Sequence, residues 1–259
     1  MSRSKSLMFG LAVVMGMVAG SACAQEEAAA AGDEKPWSIE AGADFNSKYV
    51  WRGILVTDDP VLQPWITFAF KGFSFNIWAN MDLTDVNGNN DEINEVDYTL
   101  DYSGEAGPVG YSVGVIHYDF PNTDFAATTE VYAGIGLDVP LSPTLTVYRD
   151  VDEVDGFYVT FDVSHSFENV VNFSETASMG IDLGAQISWG DDDYNMGYFG
   201  VDSNGFNALT LTAGLPIAIG DHLSITPGVN YSYLIDSDIR DAVDEEDNFW
   251  AGVSVGLAF

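Results

Sequence analysis

Carboxylates dominate the reactive side chains of this sequence: Asp and Glu number 40 against eight Lys and Arg, giving a formal net charge of −32 over 259 residues. A Ser–His hydrolase needs an imidazole within hydrogen-bond reach of its nucleophile, and only His117, His165 and His222 are present. No nucleophile motif accompanies any of them, so no enzymatic activity is expected. The stretch Asp85-Val86-Asn87-Gly88-Asn89-Asn90-Asp91-Glu92 has the composition of a calcium loop but not its spacing. Its glycine comes fourth instead of sixth, and no Glu occupies the twelfth position. Asp191-Asp192-Asp193 and Asp244-Glu245-Glu246-Asp247 are runs that divalent ions bridging lipopolysaccharide phosphates would suit, although charge runs on exposed loops are ordinarily just solvated. No cofactor and no metal site is expected. Nucleic acid is excluded as a partner, because binding it requires Lys and Arg to neutralise phosphates.

Export removes the one remaining reactive group. Arg3 and Lys5 precede an apolar run from Leu7 to Ala19, and Ala22-Cys23-Ala24 supplies the small residues at which signal peptidase cleaves. Residues 1–24 are therefore read as a signal peptide, 25–36 as a periplasmic tail, and 37–259 as the folded domain. The apolar run is too short to cross a bilayer core of roughly 30 Å. A competing reading makes Cys23 a lipid-modified residue, but Gly20 stands where a Leu-like side chain is usual. After cleavage six basic residues face 40 acids, a net charge of −34, and no cysteine is left for disulfides or thiolate chemistry.

The elements that position the carboxylates are strands. From Trp37 onward, apolar and polar residues alternate with period two, the signature of a strand with two unlike faces. Phe73, Phe75, Ile77, Ala79 and Met81 alternate with Ser74, Asn76, Trp78, Asn80 and Asp82; Phe157, Val159, Phe161 and Val163 alternate with Tyr158, Thr160, Asp162 and Ser164. Twelve such segments are predicted at about 37–51, 61–70, 73–82, 94–103, 109–120, 128–138, 144–150, 157–167, 178–189, 206–217, 222–234 and 249–259. No stretch carries a convincing helical period.

A soluble sandwich would turn the apolar faces inward, and a transmembrane barrel would turn them toward lipid. Three features favour the barrel. Most segments match the roughly 9–11 residues of a tilted membrane crossing. The polar faces include Gly110, Ser112 and Gly114, too small for an ordinary solvated surface and suited to a crowded interior. At the carboxyl terminus Phe249, Ala251, Val253, Val255, Leu257 and Phe259 hold every second position, and a final aromatic such as Phe259 is the expected signal for outer-membrane barrel assembly. The expected fold is all-β, a transmembrane antiparallel up-and-down β-barrel of about 12 strands in a bacterial outer membrane. Its expected partners are outer-membrane lipid and lipopolysaccharide, the barrel assembly machinery, and small solutes or cations.

With the first strand running outward, the long outer loops hold 21 acids and the short inner turns only four, an asymmetry that orients the barrel. Acids within the strands fall mostly on the polar face. Glu40, Asp44, Asp82, Asp97, Asp101, Glu130, Asp162 and Asp182, with Lys48 and Arg52 as the main positive charges, are the expected pore-lining residues. A lumen of that sign attracts cations. Trp37, Tyr49, Trp51, Trp65, Trp189 and Phe249 are expected in the interfacial aromatic girdles.

Ser47, Tyr49, Arg52 and Gly53, then Pro60 and Gln63, then Asn80 and Asp82, and finally Glu95, Asp97, Tyr102 and Gly104 match a motif series over residues 37–167 that resembles the TorF-type porins, the family also called Gcw_chp. The chain departs from it at Trp51, where a Phe-type residue is commoner, and in its acidic last loop. The resemblance implies an outer-membrane barrel acting as a porin. The residues themselves allow two roles for Arg52: pairing with carboxylates to shape the pore mouth, or simply ending the strand together with Gly53. The expected function is passive diffusion of small hydrophilic solutes with cation preference; the alternative is a closed structural or surface-interaction barrel without a conducting pore, and behind it an outer-membrane enzyme.

Overall fold

In the computed structural model, residues 36–88 and 91–259 are described; the expected signal peptide and all but the last residue of the tail lie outside them. The strands are β1 (Trp37–Asn46), β2 (Tyr49–Trp51), β3 (Ile54–Thr57), β4 (Val61–Phe70), β5 (Phe73–Asp82), β6 (Ile93–Ala106), β7 (Val109–Asp119) and β8 (Thr128–Leu137). They continue with β9 (Thr144–Asp150), β10 (Phe157–Ser174), β11 (Ala177–Gly190), β12 (Gly205–Gly214), β13 (Ile217–Ile219), β14 (Leu223–Leu234) and β15 (Asp247–Ala258). Two helices, α1 (Asp192–Phe199) and α2 (Ser237–Ala242), lie in the loops after β11 and β14.

Every neighbouring pair is antiparallel, and the sheet closes because β1 pairs with both β4 and β15 while β10 pairs with both β9 and β11. β13 continues β12 beyond Leu215-Pro216, pairing with the same two neighbours, so the wall is a closed barrel of 12 strands. Closure leaves no edge strand exposed in the wall.

Alternation gives the two surfaces opposite chemistry. Phe45, Ile66, Phe68, Leu100, Val113, Ile135, Phe161, Leu183 and Leu211 are all exposed on the outside, a belt that runs around the wall and far exceeds the scattered apolar exposure of a soluble domain. At the end with short turns the belt finishes in Trp37, Phe70, Phe73, Tyr102, Tyr111 and Phe259, with Phe73 and Tyr102 in ring contact across the register pair they form. This is the exterior of a barrel that crosses a membrane on strands.

Inside, small residues make room for large ones. A Cβ on Gly114 would lie 2.5 Å from the ring of Tyr132, and one on Gly42 2.6 Å from the ring of Trp65.

Three local differences from the expected elements have physical causes. The first strand stops at Asn46 instead of reaching Trp51, because the chain leaves the wall there and turns back on itself as β2 and β3. β10 and β11 run past 167 and 178 to a turn at 175–176; Glu168-Asn169 is an irregularity in a continuing ladder, with Asn169 at positive φ, and Val170, Val171 and Phe173 carry the strand on. The helices are one or two turns long, too short for a helical period to register, yet Asp191 and Asp236 cap their first turns and Gly200 ends α1 in the left-handed conformation.

Candidate functional site

The hairpin β2–β3 lies inside the barrel at the end carrying the long loops. Its two-residue turn is Arg52-Gly53, with φ of 49° and 87°, the pair of left-handed conformations that a tight hairpin with the right strand twist requires. Glycine adopts this freely, but arginine does so only where the surroundings hold it, which marks Arg52 as a constrained residue. A Cβ on Gly53 would sit 2.8 Å from Leu234 and 3.0 Å from Ala208, so the backbone of the tip lies against β14 and β12. From there the Arg52 side chain reaches the opposite wall. Its Nη1 and Nη2 donate to Oε1 and Oε2 of Glu130 on β8 at 2.8 and 2.7 Å, and the Tyr118 hydroxyl donates to the same Oε2 at 2.9 Å. The tip thus spans the lumen.

Around the guanidinium stands a ring of aromatic side chains. Arg52 Cζ lies 4.3 Å from the centroid of Tyr158, 4.5 Å from Trp51, 4.7 Å from Tyr148 and 5.8 Å from Tyr194. Neighbouring rings touch in sequence: Tyr132 to Tyr148 at 5.6 Å, Tyr148 to Tyr158 at 6.3 Å, Tyr158 to Tyr194 at 4.7 Å, Tyr194 to Tyr198 at 4.6 Å, Tyr198 to Trp51 at 5.1 Å and Trp51 to Tyr118 at 6.2 Å. Cation–π contact of this kind is worth about 2 kcal/mol when desolvated, and the bidentate carboxylate adds direction. Glu130 is 1% exposed and the Arg52 side chain 11%, so the pair is sealed from bulk water.

Loop 190–205 completes the ring from above. Asp191 Oδ1 accepts from the Tyr194 amide at 2.8 Å and fixes the first turn of α1, which drops Tyr194 and Phe199 inward. Asn195 donates to the Ser203 carbonyl at 2.8 Å and accepts from Asn207 of β12 at 2.7 Å, pinning the loop to the wall. α2 contributes Ile239, fully buried in the same cluster.

A polar lattice holds the base of the hairpin. Thr57 Oγ1 donates to Asp82 at 3.0 Å, Asn87 donates to Asp82 at 2.9 Å and to Thr57 at 3.1 Å, and Asn46, Gln63, Asn80 and Asn94 continue the chain along β1, β4, β5 and β6. Lys48 forms a salt bridge with Asp58 across the base. Tyr49 packs on Trp78 at 5.7 Å.

The other half of the lumen has a different character. Glu40, Asp44, Asp101, Asp162 and Asp182 face inward there, and none of the salt bridges among the described residues reaches them. Three of them have neutral neighbours: Tyr132 donates to Asp101 at 2.6 Å, Gln186 and Thr160 donate to Asp162 at 2.6 and 2.9 Å, and Asp44 stands opposite Ser254 and Gln63, whereas Asp182 has a second carboxylate, Glu168, nearby. Asp97 sits at the boundary between the halves, fully buried, with no hydrogen-bond partner for either carboxylate oxygen.

The strand carboxylates expected to line the lumen are on the polar face of the wall, and the expected residues form two groups. Arg52, Glu130, Asp82 and Lys48 belong to the inserted hairpin and its seat; the others line the wall. Phe259 is exposed, stacks on His222 at 6.0 Å, and pairs by backbone with Ile39. Of the residues expected in girdles, Trp37, Trp189 and Phe249 are on the outer face, whereas Tyr49, Trp51 and Trp65 are turned inward. The inward turn of 49–57 accounts for the first two, and Trp65 shares the face of Gln63. His117, His165 and His222 are exposed: His117 contacts Thr129 Oγ1, His165 packs edge-on against Phe167, and His222 contacts the Ala258 carbonyl.

Sequence reasoning missed the tyrosines of the ring. Their signal was present, since Tyr118, Tyr132, Tyr148 and Tyr158 share the strand phase of Glu130, Asp150 and Asp162. Tyr194 and Tyr198 belong to a loop and had no such phase.

Among solved structures, the chain is similar to the NanC porin in a rhombohedral crystal form, with 13% identity and a TM-score of 0.47 over 85% of this chain and 98% of that one. It is similar to a bacterial polysaccharide outer-membrane secretin, with 9% identity and a TM-score of 0.45 over 86% and 98%. A third likeness is to the Salmonella typhi OmpF complex with daunomycin, with 11% identity and a TM-score of 0.39 over 86% and 97%. At these values the likenesses stand as similarity alone, and the fold rests on the strand pairing. No curated protein matches the chain. Residues 30–202, about two thirds of the sequence and including the hairpin, the ring tyrosines and α1, match the model of the Gcw_chp family, described as bacterial proteins of unknown function, and the chain belongs to that family.

Proposed function

We propose that the protein is an outer-membrane channel for passive diffusion of small hydrophilic solutes, cation-preferring, and narrowed from the loop side by the β2–β3 hairpin. The observation that carries this reading is the inner wall itself: Glu40, Asp44, Asp101, Asp162 and Asp182 face the lumen, and no salt bridge among the described residues reaches them. Carboxylates in a confined, water-filled bore lower the barrier for cations and raise it for anions. The loop end, richer in acids, is the outward end in this reading, and the short turns face the periplasm. No step is catalysed; the wall replaces part of a solute's hydration with Ser, Asn, Thr and carboxylate oxygens. Twelve strands enclose a narrower bore than the 16 to 18 of general porins, which suits selective passage.

The inserted hairpin also favours a second reading, a barrel held shut whose acidic loops bind cations or partners. The two differ in what a membrane containing the protein conducts. In a planar bilayer under a KCl gradient, the channel reading predicts discrete steps with a reversal potential on the K⁺ side. Anion preference at neutral pH, or a silent bilayer with both the natural protein and Arg52→Ala, contradicts it.

A further inference from the structure

The aromatic ring surrounds a cation that belongs to the chain itself, the Arg52 guanidinium. Four rings face one guanidinium at 4.3 to 5.8 Å, and Glu130 meets it with both oxygens, a combination of π faces and bidentate carboxylate matched to a planar organic cation. Two further observations suggest that the site exceeds what Arg52 needs. The guanidinium arrives on a hairpin that is not part of the wall, with a positive-φ arginine at its turn. Beside it Asp97, opposite Trp78 and Tyr118 in the strand register, is fully buried with both carboxylate oxygens unpartnered. A buried carboxylate without a donor is costly, and a second positive or hydrogen-bond-donating group placed there removes that cost.

We propose that this ring, with Glu130 and Asp97, is a binding site for organic cations bearing a guanidinium or primary ammonium group, and that Arg52 is its tethered occupant, displaced by such a solute as it enters. The consequence, that displacement frees the lumen, rests on the channel reading; binding itself does not. Occupation by Arg52 is a competition, so the apparent affinity for a free cation is reduced by the fraction of sites the tether holds.

The test is titration calorimetry of the purified protein in detergent micelles with ethylguanidinium, a free equivalent of the Arg52 head group. Arg52→Ala vacates the site and is expected to bind ethylguanidinium at least about tenfold more tightly than the natural protein. Adding Glu130→Gln to Arg52→Ala should remove most of that gain, and glucose or acetate should give no heat. Where Arg52→Ala does not reach the heat-modifiable folded form, Arg52→Gln serves in its place. In the natural protein ethylguanidinium should also change indole emission, and Trp51→Phe should abolish the change. Equal affinity with and without Arg52, or a gain that survives Glu130→Gln, overturns the proposal. Conductance without binding overturns this inference and leaves the channel reading standing; binding without conductance supports the inference and overturns the channel reading.

Discussion

The two halves of the lumen are written in the same alternating code and have opposite interiors. Toward the loops, the inward positions are tyrosines together with the buried carboxylates Asp82, Glu95, Glu130 and Asp150, of which Glu130 holds Arg52, and the space between them is filled by a hairpin tip, α1 and α2. Toward the turns, the inward positions are carboxylates and small residues, with Asp101 and Asp162 held by neutral donors, and no loop among the described residues enters. The difference lies in what long loops can do that short turns cannot. A loop of ten or more residues can fold back over the mouth and bury its own apolar side chains, whereas a two-residue turn such as Lys71-Gly72 only reverses the chain. In the proposed channel, size control would therefore sit at one end of the barrel and charge control along the rest.

Four changes test that division. Removing the negative partner of Arg52 has the largest expected effect. Glu130→Gln leaves a guanidinium desolvated without its carboxylate, a loss of about 3–5 kcal/mol, and amide hydrogen exchange across 49–57 should accelerate accordingly while exchange in β12 and β14 stays slow. Overpacking the same half comes next. Gly114→Val places side-chain atoms where the Tyr132 ring lies and should lower unfolding stability in urea by about 1–3 kcal/mol. At the hairpin base, Thr57→Val removes the bond to Asp82 and should cost about 1 kcal/mol, seen as faster exchange of 49–57 alone. Smallest in stability but opposite in kind is Asp162→Asn combined with Asp101→Asn. The two are held by neutral donors, so unfolding should shift little while the cation-to-anion permeability ratio falls; an unchanged ratio would deny the charge role to that half.

Strand number, closure and the inward phase of the acids were readable because period-two alternation persists wherever one face meets lipid and the other a polar interior. Glu40, Asp44, Asp97 and Asp182 followed from it directly. The phase carries no information about a segment that leaves the wall. Tyr49, Val50 and Trp51 continue the alternation of β1 and look like its last residues, yet the break falls at Ser47-Lys48, where the Ser47 amide still bonds the Ala251 carbonyl of β15 before the chain turns inward. Arg52-Gly53 was recognisable as a terminator, and it does reverse the chain, but its partner Glu130 lies 78 residues away and no local pattern links them. The small residues at 110, 112 and 114 indicated a crowded interior; that tyrosines do the crowding follows only when neighbouring strands are placed side by side.

The proposed division between a gate at the loop end and a charged bore beneath it is tested most directly by comparing unit conductance of the natural protein and Arg52→Ala in planar bilayers under a KCl gradient. The account predicts that Arg52→Ala conducts several-fold more per unit while keeping cation preference, since the hairpin loses its hold on Glu130 and the carboxylates of the bore are untouched. Equal unit conductance in the two proteins, or a cation preference that disappears with Arg52, would contradict it.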